Sequence, residues 1–247
     1  VVLCLPFVVK PSYAQGVQAT IPVLSKQVKL DGMWPSADEW TDSVEITPQP
    51  PGGFFRLKHD QSFLYVLFDC VSAKALVNYD VAWVYIDTLK NGGGYPQTDD
   101  YAFTFQWSGP TQSYIQVLKG TGTIWATSSL APFSANSSLN AINDPYSSAE
   151  HVIYEFQIPL SIIPQSSASI GVRLSMQDGT TGTWYIWPSL DSSRSVPSQW
   201  GTMALGASPT PEFSTILPTL ALGLIFPLYL LRRSRKQARS GNSAEDA

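Results

Sequence analysis

Charge is scarce in this chain. Only 14% of its 247 residues are Asp, Glu, Lys or Arg, against about 25% in an average soluble domain. Of the 15 basic residues, five (Arg232, Arg233, Arg235, Lys236 and Arg239) crowd together near the C-terminus. The body is therefore acidic, which argues against a nucleic-acid partner, because phosphate binding needs a basic face. Cysteine is limited to Cys4 and Cys70, and histidine to His59 and His151. That excludes a disulfide-stapled scaffold and a cysteine zinc cluster. No Gly-x-Ser-x-Gly elbow, P-loop or dinucleotide fingerprint occurs. Glu39, Glu45, Glu150 and Glu155 fall near turns or on outward strand positions, whereas glycoside hydrolysis needs two carboxylates about 5–10 Å apart across one cleft. No constellation supports catalysis, so a non-enzyme is expected.

The two ends read as addresses. Val1–Val9 is apolar apart from one proline and one cysteine, and Ser12 and Ala14 supply the small residues of a signal-peptidase site. Residues 1–14 are read as a signal peptide truncated at its start. Residues 207–212 form a Pro-containing spacer. From Phe213 to Leu231 no charge appears; as a helix the run would reach about 28 Å, close to a hydrocarbon core of about 30 Å. The arginines that follow put residues 232–247 in the cytoplasm and the body outside. Pro211-Glu212-Phe213, the apolar run and the basic tail together resemble archaeal PEF-type sorting signals. That resemblance implies recognition by a sortase-like membrane enzyme and transfer to a lipid anchor. An exported domain at the outer face of a membrane is the expectation, held by the helix or by a lipid. The Asn136-Ser137-Ser138 sequon suits an exported loop.

Between Gln18 and Gly206 short runs of Val, Ile, Thr, Tyr, Phe and Trp are cut by Gly, Pro, Asn, Asp and Ser. The pattern predicts strands at 28–30, 44–47, 54–59, 63–71, 81–87 and 101–107, then at 113–119, 123–127, 151–158, 169–177, 183–187 and 202–205. Alternation places Tyr101, Phe103, Phe105 and Trp107 on one face, and Val152, Tyr154, Phe156 and Ile158 inward. The fold class expected for residues 18–206 is all-β: a two-sheet antiparallel sandwich, jelly-roll-like, followed by one C-terminal transmembrane helix. Cys70 is expected to fill core space as a small hydrophobe.

Two residue types could carry binding. Asp80, Asp87, Asp99 and Asp100 fall at strand ends or in the Gly-rich loop between strands, and calcium takes six to eight oxygens from such loops. The same aspartates would also serve as turn caps. Eight tryptophans offer flat faces for sugar rings. Trp83 sits in an apolar run and Trp34 and Trp40 frame a turn, so these read as core. Trp107, Trp125, Trp184 and Trp187 lie toward strand ends beside Gly, Pro, Ser or Thr, and are the candidate platforms.

Val28-Lys29-Leu30-Asp31-Gly32-Met33-Trp34 with Glu39-Trp40 resembles the opening of family-nine carbohydrate-binding modules and their DOMON-like relatives. In order follow Leu64–Asp69, Asp80 through Asp87, Asp99-Asp100-Tyr101, Tyr154–Pro159, Ile170–Arg173 with Asp178, and Gln199-Trp200-Gly201. The resemblance implies a β-sandwich that binds polysaccharide or a surface glycan, usually with structural calcium and often with the sugar between tryptophans. On that basis Trp187 is the expected late binding tryptophan, with Trp107 or Tyr95 as its partner. It leaves two further readings open: an adhesion or structural domain of the cell envelope without a sugar site, and a haem-binding redox domain. Haem would draw its axial ligands from Met33, Met176, Met203, His59 and His151.

Overall fold

The computed structural model describes residues 18–109, 113–129, 133–164 and 167–207. Thirteen strands and two short 3-10 turns make two sheets. Sheet I runs β1 (Ala19–Ile21), β13 (Gly201–Leu205), β11 (Ile170–Asp178), β5 (Val81–Asp87), β6 (Asp100–Trp107), β7 (Ser113–Gly120) and β8 (Trp125–Thr127). Strand β12 (Thr183–Trp187) pairs with the second half of β11, beside β13 on the first half. Sheet II runs β2 (Val44–Ile46), β3 (Phe54–His59), β4 (Phe63–Cys70), β10 (His151–Pro159) and β9 (Ser134–Asn140). Every pairing is antiparallel except β1 with β13, so the expected sandwich holds with one parallel edge. The signal peptide, spacer, transmembrane or sorting helix and basic tail lie outside the described residues. Among the described residues no helix is long and apolar enough to cross a membrane.

Period-two alternation builds the interior. Ala82, Val84 and Ile86 of β5, Tyr101, Phe103 and Phe105 of β6, and Val172, Leu174 and Met176 of β11 face Leu64, Val66 and Phe68 of β4 and Val152, Tyr154, Phe156 and Ile158 of β10. Phe105 of sheet I meets Tyr154 of sheet II edge-on at 5.6 Å, and within sheet II Phe68 packs against Phe156 at 5.3 Å. Each such buried side chain contributes about 1.5–3 kcal/mol. Cys70 lies in this core, and burial pushes its thiol up to about 12, so it stays protonated and inert.

The sequence reading misses the first strand and β9, and places one at 28–30 where none forms. Strand β9, Ser-Ala-Asn-Ser-Ser-Leu-Asn, is a half-exposed polar edge held by its register with β10 and not by apolar alternation. Residues 28–30 serve instead in a strap across the outer face of sheet II. The Lys29 amide donates to Glu39 Oε1 at 2.7 Å. Beneath the strap Trp34 and Trp40 pack on Tyr65, Leu67 and Ile153 in a second core. Glu155 points outward on β10, as its parity requires, yet the strap buries it completely. Its Oε2 accepts the Asp31 and Gly32 amides at 2.8 and 2.7 Å, and its Oε1 accepts the Trp40 indole N–H at 3.2 Å. Gly32 is obligatory there: its φ is +75°, and a Cβ would meet the Ser137 backbone at 2.7 Å. Lys58, also fully buried, donates to the Lys26 and Glu39 carbonyls and to Asp42 Oδ1.

Glu155→Ala leaves three buried N–H donors unpaired and is expected to cost roughly 3–5 kcal/mol. Glu155→Gln, which keeps one acceptor, costs less. Urea midpoints at constant m-value check the order, and equal losses for the two variants would contradict it.

Candidate functional site

On the outer face of sheet I the connection between β12 and β13 covers Tyr85 and Arg173 and leaves Trp184 exposed. On β5 the residues opposite to the core are Trp83 and Tyr85; on β11 they are Arg173, Ser175 and Gln177; on β12 they are Trp184 and Ile186. Register sets Ser175 between Trp83 and Ile186, and Arg173 beside Tyr85. The ring of Trp83 stacks on Tyr85 with centroids 5.5 Å apart and planes 12° apart. Trp200 closes on Tyr85 at 5.7 Å and lies parallel to Trp125 at 6.3 Å. The Trp125 and Trp200 indole N–H groups donate to the Arg194 and Ser193 carbonyls at 3.3 and 2.9 Å, which fixes the loop that carries Arg194. Tyr85, Arg173, Ser175, Trp184, Ile186 and Arg194 enclose a recess of about 280 Å³.

The recess is cationic. Arg173 is buried; its Nε donates to the Ser192 carbonyl and its Nη1 to Ser175 Oγ, each at 2.9 Å. Its guanidinium lies 5.2 Å from the Tyr85 ring centroid. Among the described residues neither Arg173 nor Arg194 has a carboxylate partner. Burial and the nearby Arg194 charge hold Arg173 below its ordinary value, though a guanidinium stays protonated at neutral pH. A buried cation lacking a counter-charge costs folding energy. An oxygen-rich ligand with negative character would offset that cost.

At one end of β5 and β6, single carboxylate oxygens of Asp87, Asp99 and Asp100 lie within 4.8 Å of one another. Asp87 accepts the Asn91 and Gly92 amides at 3.2 and 2.8 Å, and Asp100 Oδ2 accepts the Gln97 amide at 2.6 Å. Asp99 Oδ2 and Asp100 Oδ1 are buried without a hydrogen-bond partner. Burial, then repulsion from Asp87 and Asp99, pushes Asp100 up to about 7. Asp80 does not belong to this group. It precedes the opposite end of β5, about 20 Å away by strand rise. There it accepts the Val77 and Gly179 amides as a turn cap.

The expected sugar platforms divide by strand parity. Trp184, exposed at 36%, lines the recess. Trp125 borders the aromatic cluster beneath it. Trp187 takes the inward parity of Tyr185, packs against the intersheet core and lies over Gly201, where a Cβ would meet its ring at 2.1 Å. It is therefore not a platform on this face. Trp107 ends β6 on the parity of Phe103 and Phe105, half-buried, opposite Ser113. Tyr95 is exposed in the Gly-rich loop but does not line the recess. The sequence reading assigned Trp83 to the core and missed Arg173 and Arg194; alternation along β5 and β11 carried that signal. Of the haem candidates, Met176 and Met203 fill the intersheet core, and both His59 ring nitrogens lie against backbone carbonyls.

A scan against protein-family models gives no match, and a search of curated proteins gives none. Solved structures do match. A family-nine carbohydrate-binding module from Caldicellulosiruptor kristjanssonii in complex with cellotriose is similar at TM-score 0.53 and 16% identity, over 78% of this chain and 96% of that one. The structure of a family-nine module from the same organism in complex with glucose gives TM-score 0.54 and 17% identity, over 77% and 98%. Residues 18–207 thus share the β-sandwich fold of family-nine carbohydrate-binding modules.

Proposed function

We propose that this domain binds saccharide, without catalysis, in the recess on the outer face of sheet I. The observation that carries the reading is an exposed indole, Trp184, beside two arginines that lack carboxylate partners and above an aromatic floor. Sugar C–H faces stack on flat indoles, and guanidinium N–H groups donate to sugar oxygens. Trp83 and Trp184 stand two strands apart on one face, Trp83 opposite Ser175 and Trp184 opposite Gln177, on the order of 12 Å by sheet spacing and strand rise. That separation admits one sugar ring between two aromatic walls. The cationic lining favours uronates over neutral sugars. The cellotriose and glucose complexes of similarly folded modules support the class of ligand.

Calcium belongs to the same proposal. The unpartnered oxygens of Asp99 and Asp100 beside Asp87 fit a hard cation that takes only oxygen ligands. It would be held at the loop end of β5 and β6 and would brace the 88–99 loop. The apolar run Phe213–Leu231 and the arginines after it support an exported domain anchored at the outer membrane face. Processing by a sortase-like enzyme at Pro211-Glu212-Phe213 would exchange the helix for a lipid.

Affinity electrophoresis of residues 15–208 against neutral and uronate polysaccharides tests the sugar site. Trp184→Ala is expected to weaken retardation at least tenfold, about 1.4 kcal/mol. Trp187→Ala should instead lower stability by about 3 kcal/mol. No retardation of the folded fragment by any glycan would replace this reading with a structural or adhesive role in the envelope.

The carboxylate cluster makes a separate prediction. In chelator the raised Asp100 binds its proton more tightly folded than unfolded. Its contribution to stability is full below about pH 4 and is lost as pH rises toward about 7. Calcium favours the ionised form and should reverse the slope. Melting temperatures between pH 4.5 and 7.5, with calcium and with chelator, decide it. Superimposable profiles would exclude calcium from this loop.

A further inference from the structure

A second cluster of ligating side chains lies on the other sheet, away from the recess and the aspartate loop. His151 opens β10, Asp69 is next to last in β4 on the neighbouring strand, and Asp144 sits in the 141–150 connection between β9 and β10. The His151 Nε2 is 2.8 Å from Asp69 Oδ1 and 2.8 Å from Asp144 Oδ2, and all three side chains are fully buried. We propose that these residues form a resident site for a borderline divalent metal ion of the zinc type.

Three observations carry the proposal. The first is direction. Two carboxylate oxygens face one ring nitrogen, which has at most one proton to share between them. His151 Nε2, both Asp69 oxygens and Asp144 Oδ2 are all buried without a hydrogen-bond partner. Four convergent polar atoms left unpaired inside a fold carry a desolvation penalty that one cation at their centre removes.

The second is the state of the ring. His151 Nδ1 lies 2.8 Å from the Ala149 carbonyl oxygen, which only accepts, so Nδ1 carries a proton. When that ring is neutral its Nε2 turns a lone pair toward two carboxylates, the arrangement in which a metal-ligating histidine is held by its other nitrogen. An imidazolium would present one proton to two carboxylates and leave net negative charge buried. The guanidinium of Arg56, packed on Tyr146 from the same connection, is taken by Glu45.

The third is the donor set and its support. One imidazole nitrogen with carboxylate oxygens suits zinc-type ions, whereas calcium and magnesium take oxygen alone. Tetrahedral coordination near 2.0–2.2 Å spaces ligand atoms about 3.3 Å apart, so each side chain would withdraw by a few tenths of an ångström. With one atom from each of the three side chains, a water molecule would complete the tetrahedron. The connection is already shaped for this: the Tyr146 amide donates to Asp144 Oδ1 at 2.7 Å, and Asn143, at φ 56°, donates through Nδ2 to the Trp34 and Pro35 carbonyls. A metal here would tie β4, β10 and the 141–150 connection together beside Trp34.

The test is metal content and cobalt spectroscopy on the full chain, purified without a polyhistidine tag. One equivalent of zinc should survive dialysis. Cobalt exchanged into the site should give tetrahedral d–d bands between roughly 500 and 650 nm. Asp144→Asn is expected to weaken cobalt binding by at least about tenfold, while Asp99→Asn in the aspartate loop leaves the cobalt bands unchanged. Should Asp144→Asn fail to fold, the wild-type spectrum and a rise in melting temperature on adding zinc decide the matter alone. A metal-free protein with no cobalt bands and no thermal shift, whose His151 carries protons on both nitrogens by nitrogen NMR, would overturn the proposal.

Discussion

The carboxylate of Glu155 is the point on which the two faces of this sandwich come to differ. A charged group on the outer face of a central strand is normally left in water. Here it gathers the amides of Asp31 and Gly32 and the indole N–H of Trp40, and so draws residues 24–43 over sheet II. Trp34 and Trp40 then have a floor of Tyr65, Leu67 and Ile153 to bury against. With that face closed, sheet I keeps the exposed indole of Trp184 beside its recess.

The asymmetry is chemical as well as geometric. Sheet II meets its strap through apolar packing and buried ions that are mostly paired, as Lys58 with Asp42. Sheet I exposes an indole, and among the described residues its two guanidinium groups have no carboxylate partner. Loops at one end of the same sheet gather Asp87, Asp99 and Asp100, so opposite charges are segregated along β5 and not mixed. That separation keeps the arginines from being neutralised by their own chain.

Much of this was legible in the residues. Strands with strong alternation, such as β5, β6 and β10, were readable to within a residue or two, because one buried face forces the period. The strand β9 was not, since its Ser and Asn side chains carry no apolar signal and its place is set by pairing with β10. Among tryptophans, nearness to a strand end was a poor guide. Trp184 and Trp187 are three residues apart on one strand and therefore face opposite ways; parity with the core residue Tyr185 settles which is inward. Arg173 was hidden because a lone arginine in an apolar run looks like a surface residue until the fold shows it buried. Of the four aspartates, Asp87, Asp99 and Asp100 come together at the loop end of β5 and β6, while Asp80 stands at the other end of β5. A seven-residue strand holds its two ends far apart.

The parallel pairing of β1 with β13 has a mechanical consequence. Gln18, the first described residue, and the last described strand lie on the same edge of sheet I, and β13 pairs with β11 through Gly201–Met203 and with β1 through Met203–Leu205. From Leu205 the chain passes through Gly206 and Ala207 at the end of β11 where Ile170 pairs with Met203. Ser175, on the floor of the recess, is about 17 Å further along β11. A ligand pulling on the recess while the chain is held beyond Leu205 would load β13 and β11 lengthwise. The bonds between them would then share the force in shear and not open one at a time, the arrangement in which a small sheet yields last.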